Sequence, residues 1–183
     1  MVARGGLTAD HGFMLIRRET PADIDAIRSV TTKAFSAPGQ EPPREAPLVD
    51  ELRVHASWLP LLSHVAIHDD QVVGHVVCTR GKIGGAPVLG LGPISVLPEH
   101  QRSGVGSALM HSVIGAADAL GETLVGLLGD PAYYARFGFV PAEKHGVVAP
   151  VPEWSPYFQV RPLAAHFPGL HGTFAFPEPF DRV

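Results

Sequence analysis

Apolar residues along the chain recur at two spacings, and the switches between them mark out the elements. Residues 13–17 are a short apolar run, read as an edge strand. Thr20, Pro21 and Asp23 follow: a hydroxyl able to cap a helix, a proline suited to its first position, and an acid placed as in a capping box. Ile24, Ile27, Thr31, Ala34 and Phe35 then recur on one face of a predicted helix. Residues 37–47 are rich in proline and predict a loop. A second helix is predicted over 48–59, with Leu48, Leu52, His55 and Leu59 on one side and Pro60 as its stop.

The period then changes to two. Residues 64–68 and 72–79 read as strands of a hairpin turning at Asp69-Asp70-Gln71. Residues 81–87 predict another turn, and 88–96 an apolar strand interrupted by Gly90, Gly92 and Pro93. The longest helical pattern covers 104–120, with Val105, Leu109, Val113, Ala116 and Leu120 on one face and Gly121 as its stop. Residues 124–129 predict a buried strand, Asp130-Pro131 open a short helix that Gly138 ends, and 140–183 hold short strand-like pieces between prolines. The succession of strand, helix and strand from 88 to 129 implies one parallel crossover inside a mixed sheet. With no repeat and no linker, the expectation is a single domain over 13–183 behind a loose tail, 1–12.

Composition narrows the classes. At 183 residues the chain can bury one substantial core. A net charge of −4 leaves no basic excess to grip a phosphate backbone, so no nucleic-acid partner is expected. Of the ten histidines, His64 and His68 are four apart but flank a strand, and the rest are scattered, so no metal site is expected. Cys78, the sole cysteine, rules out an intramolecular disulfide, fits a reducing compartment and sits in an alternating strand as a buried thiol; His75 on that strand reads as structural. No stretch has the roughly 18 apolar residues that span a bilayer, and 1–12 lacks the apolar run of a signal peptide. A cytoplasmic protein without a membrane partner is expected.

The chemistry concentrates where the strand 91–96 runs on through Gln101, Arg102, Ser103, Gly104, Val105, Gly106 and Ser107 into the longest helix. The first turn of a helix has N–H groups without intrahelical partners, and glycine lets a ligand approach them. The turn therefore suits an anion, most naturally a pyrophosphate, with about 0.3–1 kcal/mol per exposed charge from the helix dipole. No lysine is present for a Walker loop, and Leu109 occupies the third glycine position of a dinucleotide fingerprint. By itself a glycine-rich turn also reads as plain geometry, and Tyr134 as an amphipathic core residue.

The pattern Q/R-x-x-G-x-G/A from Gln101 to Gly106, followed by Tyr134-Ala135-Arg136-Phe137-Gly138-Phe139, resembles the paired signatures of the GNAT N-acetyltransferases. Gly129-Asp130-Pro131-Ala132-Tyr133-Tyr134 and the ending Gly172-Thr173-Phe174-Ala175-Phe176-Pro177-Glu178-Pro179-Phe180 look like its YhbS-like branch, and the likeness runs from about 13 to 180. The resemblance implies an α/β (α+β) fold with a mostly antiparallel sheet, one splayed parallel strand pair and flanking helices. It implies acetyl-CoA as acyl donor, its pyrophosphate held by Gln101, Arg102, Ser103, Gly104, Val105, Gly106 and Ser107, chiefly through main-chain N–H groups. The pantetheine arm would run along Ile94, Ser95 and Val96, with the Ile94 N–H as oxyanion contact, since Pro93 has none. Tyr134 would protonate the leaving thiolate, and its neighbour Tyr133 is expected to point elsewhere.

The implied reaction is direct attack of a primary amine, on a small molecule or a protein, in a ternary complex. Many relatives place an acid on the strand before the first signature. Here Gly90 stands at that place and residues 88–98 contain no Asp or His and no Glu, so the base is unassigned: a water relay, another element and an amine arriving neutral all stay open. So does an acyl-CoA binder of weak or no activity that acts as a sensor or docks a partner protein. Asp50, Glu51, His55 and Trp58 either line the acceptor groove or form a solvated helix face. A homodimer is compatible with this reading.

Overall fold

The computed structural model describes residues 13–182; the expected tail, 1–12, lies outside them. Strand β1 (Met14–Arg18) ends at a turn organised by Asp23. That carboxylate accepts from the Thr20 N–H at 2.7 Å, from Thr20 Oγ1 at 2.8 Å, and from both terminal nitrogens of Arg17 at 2.7 and 2.9 Å. The chain passes through a 3-10 turn (Pro21–Asp23) into α1 (Ile24–Phe35), which buries Ile27, Val30 and Thr31.

Helix α2 (Glu45–Val54) is displaced from its predicted span of 48–59. It begins earlier because Pro47 falls in the first turn, where no N–H is needed for an intrahelical bond. It ends before Pro60 because His55 turns extended (ψ 152°) and its ring Nδ1 accepts the Ser57 N–H at 3.1 Å. Leu48 and Leu52 are buried as expected, joined by Ala46 and Val49.

Strands β2 (Ser63–His68), β3 (Gln71–Ile83) and β4 (Ala86–Val96) form a meander. Asp69 and Asp70 take φ of 48° and 59° in the first turn, the left-handed pair that a tight hairpin requires. The second turn is only Gly84-Gly85, at φ 54° and 90°, so the strands run further than the turn predicted over 81–87. Successive residues of β2 serve opposite faces. Val65 clusters with Ile27 of α1 and Val49 of α2, whereas His64 hydrogen-bonds Ser112 at 2.9 Å on α3 (Val105–Ala119).

Helix α3 buries Val105, Leu109, Met110, Val113, Ile114 and Ala117. Leu120, expected on that face, lies beyond the last turn as the C-cap and is exposed, and Gly121 closes the helix at φ 73°. β5 (Leu124–Leu128) returns parallel to β4. After α4 (Pro131–Tyr134) come β6 (Val140–Pro141), β7 (Val147–Val148), β8 (Phe158–Pro162) and β9 (Gly172–Ala175). The sheet order is β1-β2-β3-β4-β5-β8-β6, antiparallel except at β4–β5. A further short parallel pairing, β7 to β9, was not legible in the sequence. The final third builds its own apolar cluster, with Phe158, Val160, Leu170 and Phe174 against Ile83, Val88 and Leu124.

Candidate active site

The parallel strands β4 and β5 stay paired only at Leu89↔Val125 and Gly90↔Gly126. Beyond that point β4 continues along β3 while β5 bonds β8, so the sheet splits. Both residues of the last pair are glycines, and each lies beneath a ring. A Cβ at Gly126 would stand 2.6 Å from Phe174 Cε2, and one at Gly90 would stand 2.7 Å from Phe176 Cδ1. The rings of Phe158, Phe174, Phe176 and Phe180 follow one another at centroid spacings of 5.1, 4.7 and 4.9 Å across the split.

Just past the split, Gly92 and Pro93 of β4 together oppose Val77 of β3, a bulge that re-aims the strand. The Leu97 N–H donates to the Val73 carbonyl at 2.9 Å. Because N–H groups alternate between the edges of a strand, Ser95 donates toward β3, and the N–H groups of Ile94 and Val96 face the open edge.

The loop after β4 is held by its own side chains. Gln101 Nε2 donates to the Val96 carbonyl at 3.1 Å, and Ser103 Oγ donates to the His100 carbonyl at 2.6 Å. Arg102 at φ 60° and Gly104 at φ 95° turn the chain into α3. The first intrahelical bond of α3 runs from the Ala108 N–H to the Gly104 carbonyl, at 3.0 Å, which leaves the amides of Val105, Gly106 and Ser107 at the open helix end.

These amides border a cleft of about 840 Å³ that runs from Gln101, Arg102, Gly104, Gly106 and Ser107 past Ile94 and Val96 to Tyr134. Three of the sequence-predicted residues turn their side chains elsewhere. Ser95 is buried with its hydroxyl 3.1 Å from Thr31 Oγ1 and its N–H toward β3, Val105 is in the core, and Ser103 is occupied within the loop, so the side chains of these three do not reach the cleft. The sequence reading did not anticipate Asp130, Tyr133 and Arg136 on this wall. Arg136 lay inside the second signature, and it now adds a cation to that of Arg102; its guanidinium carbon is 4.8 Å from the Tyr133 ring centre. Tyr133, expected to point away, reaches over the helix end: a Cβ at Gly106 would lie 2.9 Å from its hydroxyl.

A second cavity, about 330 Å³, opens on the other side of the split. Its wall is apolar, with Phe35, Leu48, Leu91, Leu128, Trp154 and Phe176 among its residues, and Glu45 is the one carboxylate among the described residues lining it. Phe35, Ile94 and Tyr134 line both cavities. None of the four residues considered for an acceptor groove lines this pocket. Asp50 pairs with Arg28 and Arg53, Glu51 with Arg182, His55 bonds Ser57, and Trp58 lies 5.3 Å below Arg53. α2 presents Glu45 and Leu48 there instead.

Tyr134 sits at the junction of the two cavities, edge-on to Tyr133 at 4.9 Å and Phe139 at 5.9 Å. Burial pushes its phenol up to about 12, with Tyr133 and Asp130 adding to the shift, so it is a neutral hydrogen-bond donor at ordinary pH. Cys78 is fully buried and its thiol is likewise pushed up by burial. His75 is also fully buried and bonds Ser63 within the sheet. Among the described residues no group of three or more His, Cys, Asp or Glu is placed to hold a metal ion, and no helix is long and apolar enough to cross a membrane.

A mixed sheet split beside a glycine-led helix, with a tyrosine at the mouth of the split, defines an acyltransferase of α/β fold. Residues 61–141 match the acetyltransferase (GNAT) domain family. The N-acetyltransferase YhbS of Escherichia coli K12, itself uncharacterized, is 32% identical over 92% of this chain and 99% of its own length. The crystal structure of E. coli YhbS in complex with CoA superposes with a TM-score of 0.86 at 30% identity, covering 97% of each chain. A GNAT family acetyltransferase of Brucella melitensis in complex with acetyl-CoA gives a TM-score of 0.77 at 36% identity, over 93% of this chain and all of that one. The chain belongs to the GNAT N-acetyltransferases.

Proposed function

We propose that residues 13–183 act as one catalytic domain that transfers an acetyl group from acetyl-CoA to a primary amine, on a small molecule or a protein, by direct attack in a ternary complex. The observation that carries this reading is the wall common to the two cavities. Ile94 and Tyr134 border both, so a thioester lying in the larger cleft and an amine lying in the smaller pocket meet between them. The amides of Val105, Gly106 and Ser107 and the cations of Arg102 and Arg136 suit the pyrophosphate. The CoA and acetyl-CoA in the E. coli and Brucella structures support acetyl-CoA as the ligand.

In this arrangement the Ile94 N–H, facing the open edge of β4, stabilises the oxyanion as the amine nitrogen attacks the carbonyl carbon. The carbon–sulfur bond then breaks and Tyr134 Oη gives its proton to the departing sulfur. The buried, lone Cys78, with no second cysteine to pair with, supports a cytoplasmic setting, where acetyl-CoA is available. A second reading, an acyl-CoA sensor without turnover, is favoured by one observation: β4 offers no acid at the split, where Gly90 stands under Phe176.

Thiol release from acetyl-CoA with a panel of amines decides between the two. Acetyl-CoA at one hundred times its Kd is expected to stabilise the fold by about 2.7 kcal/mol. Stabilisation with amine-dependent thiol release supports the enzyme, and stabilisation without it supports the sensor. No shift in Tm with millimolar CoA or acetyl-CoA removes both.

A further inference from the structure

Resting on the acyl-transfer reading, we infer that the acceptor is an amine carried on an aromatic or similarly apolar body, and that Glu45 holds its ammonium and takes its proton. Phe176 covers Gly90 so closely that a side chain there would meet the ring at 2.7 and 2.9 Å, so β4 cannot supply a carboxylate. The same ring, with Phe35, Leu48, Leu128, Trp154 and Phe180, walls the pocket on the acceptor side. Glu45, on the first turn of α2, is the single carboxylate among the described residues of that wall. The pocket shares Ile94 and Tyr134 with the cofactor cleft, so an amine held by Glu45 lies on the side from which the thioester is approached.

The walls choose the body and the carboxylate chooses the charge. A pocket of about 330 Å³ is at the small end for ligand sites and suits one or two rings. Aromatic faces favour apolar surface and tolerate one ammonium. A polyamine or an aminoglycoside would bring several cations against a wall with one partner, leaving the others desolvated and unpaired. Apolar surroundings also favour the uncharged amine over its ammonium, which is the direction the reaction needs.

The protons balance. Glu45 takes one proton from R–NH3+ and passes it to water, and the freed nitrogen pair forms the bond to the carbonyl carbon. The carbon–sulfur bond breaks with its electron pair on sulfur, which takes a proton from Tyr134. Tyr134 is restored by the second proton that the nitrogen loses on becoming an amide. The products are the amide, the CoA thiol and one proton.

The test follows thiol release from acetyl-CoA with 2-phenylethylamine, tryptamine, spermidine and a hydrophilic lysine peptide, in the wild type, Glu45→Gln and Glu45→Asp. Tryptamine or phenylethylamine is expected to exceed spermidine and the peptide by at least about tenfold in kcat/KM. Glu45→Gln is expected to lower kcat/KM for the aromatic amines by about 10²–10⁴-fold, with Tm and its shift by acetyl-CoA unchanged. The remaining rate should climb with pH, since only amine already deprotonated in solution reacts, and Glu45→Asp should recover part of the loss.

Leu128→Arg, which puts a charge into the same wall from β5, should cut tryptamine turnover about tenfold or more without altering acetyl-CoA binding. Spermidine or the peptide as best acceptor overturns the inference while leaving acyl transfer standing. So does a Glu45→Gln enzyme with the wild-type rate and pH profile. No turnover with any amine is the separate failure of acyl transfer itself.

Discussion

Gly90 lies under the ring of Phe176, with no room for a Cβ between them: an added carbon would stand 2.7 Å from Cδ1 and 2.9 Å from Cε1. Its partner across the parallel pair, Gly126, stands in the same relation to Phe174. The two glycines let the final segment of the chain lay an aromatic row across the sheet where β4 and β5 part. That row belongs both to the core, through Phe158 and Phe174, and to the smaller cavity proposed for the acceptor, through Phe176 and Phe180. Core packing and the shape of this cavity are therefore one feature here.

Gly90→Ala is expected to destabilise the protein by about 1–3 kcal/mol, the usual cost of overpacking a filled site. Phe176→Leu removes the ring that the new methyl meets, so the double variant should lose less than the sum of the two single losses. Urea unfolding of the four proteins measures this. Strict additivity would mean that Gly90 and Phe176 do not constrain each other. Gly90→Glu should bring no gain in turnover, because the strand cannot seat the side chain.

At the cofactor end, Gly104 separates strain from charge, whereas at Gly106 a side chain would also meet the Tyr133 hydroxyl. Gly104 has φ 95° and open space where a Cβ would project, so Gly104→Ala carries only the left-handed backbone cost, about 1–2 kcal/mol of stability. Gly104→Asp and Gly106→Asp add a negative charge at the helix end and are expected to abolish the shift in Tm by acetyl-CoA, which Gly104→Ala should retain. Ser107→Ala should bind nearly as the wild type, since the main chain provides the donors. Wild-type affinity in both aspartate variants would remove the pyrophosphate from this helix end.

Stability toward acid should depend on Glu19. Its carboxylate accepts from Ser63 Oγ at 2.5 Å and Arg53 Nε at 2.9 Å, and lies 3.3 Å from His75 Nε2. Burial pushes this carboxyl up, but hydrogen bonds from His75, Arg53 and Ser63 outweigh it and bring it from 4.5 down to about 2. Burial holds His75 below its ordinary value, and an Nε2–H can donate into this cluster while the buried Nδ1 has no partner among the described residues. A depressed folded-state value contributes stability that is complete above pH 4.5 and is lost as pH falls toward 2. Urea unfolding free energy should decline across that window, and Glu19→Gln should be less stable at pH 7 but flatter below pH 4.5. Asp23, held low chiefly by Arg17, declines in the same direction in both proteins.

What the sequence could show was local. The turn from Gln101 to Ser107 and the parallel crossover were legible because strand, glycines and helix lie in one uninterrupted stretch. The bounds of α2 were not, since Pro47 is tolerated in a first turn and the His55 ring replaces the expected stop. The smaller cavity was invisible for a deeper reason: Phe35, Glu45, Leu128, Trp154 and Phe176 come from separate segments, and no spacing links them. Tyr133 shows a limit of helical periodicity. Adjacent residues of a long helix diverge by about 100°, but α4 is a single turn standing in the cleft mouth, and both of its tyrosines line the cleft.

That placement changes how Tyr134 must be tested. Tyr134→Phe keeps the ring against Phe139 and over Gly129, where it leaves no room for a Cβ, and removes only the hydroxyl. Turnover is expected to fall about 10²–10⁴-fold with Tm and acetyl-CoA affinity nearly unchanged. Tyr133→Phe is not a silent control, because that hydroxyl reaches over Gly106 at the cofactor end; it should weaken acetyl-CoA binding modestly and leave kcat nearly intact. The pH profile adds an independent check. A phenol raised to about 12 keeps its proton across the range in which the protein can be assayed, so the wild-type kcat should show no alkaline decline from this group below about pH 11. Equal loss of kcat in both variants would deny Tyr134 a special role, and loss of Tm without loss of rate would make it a packing residue.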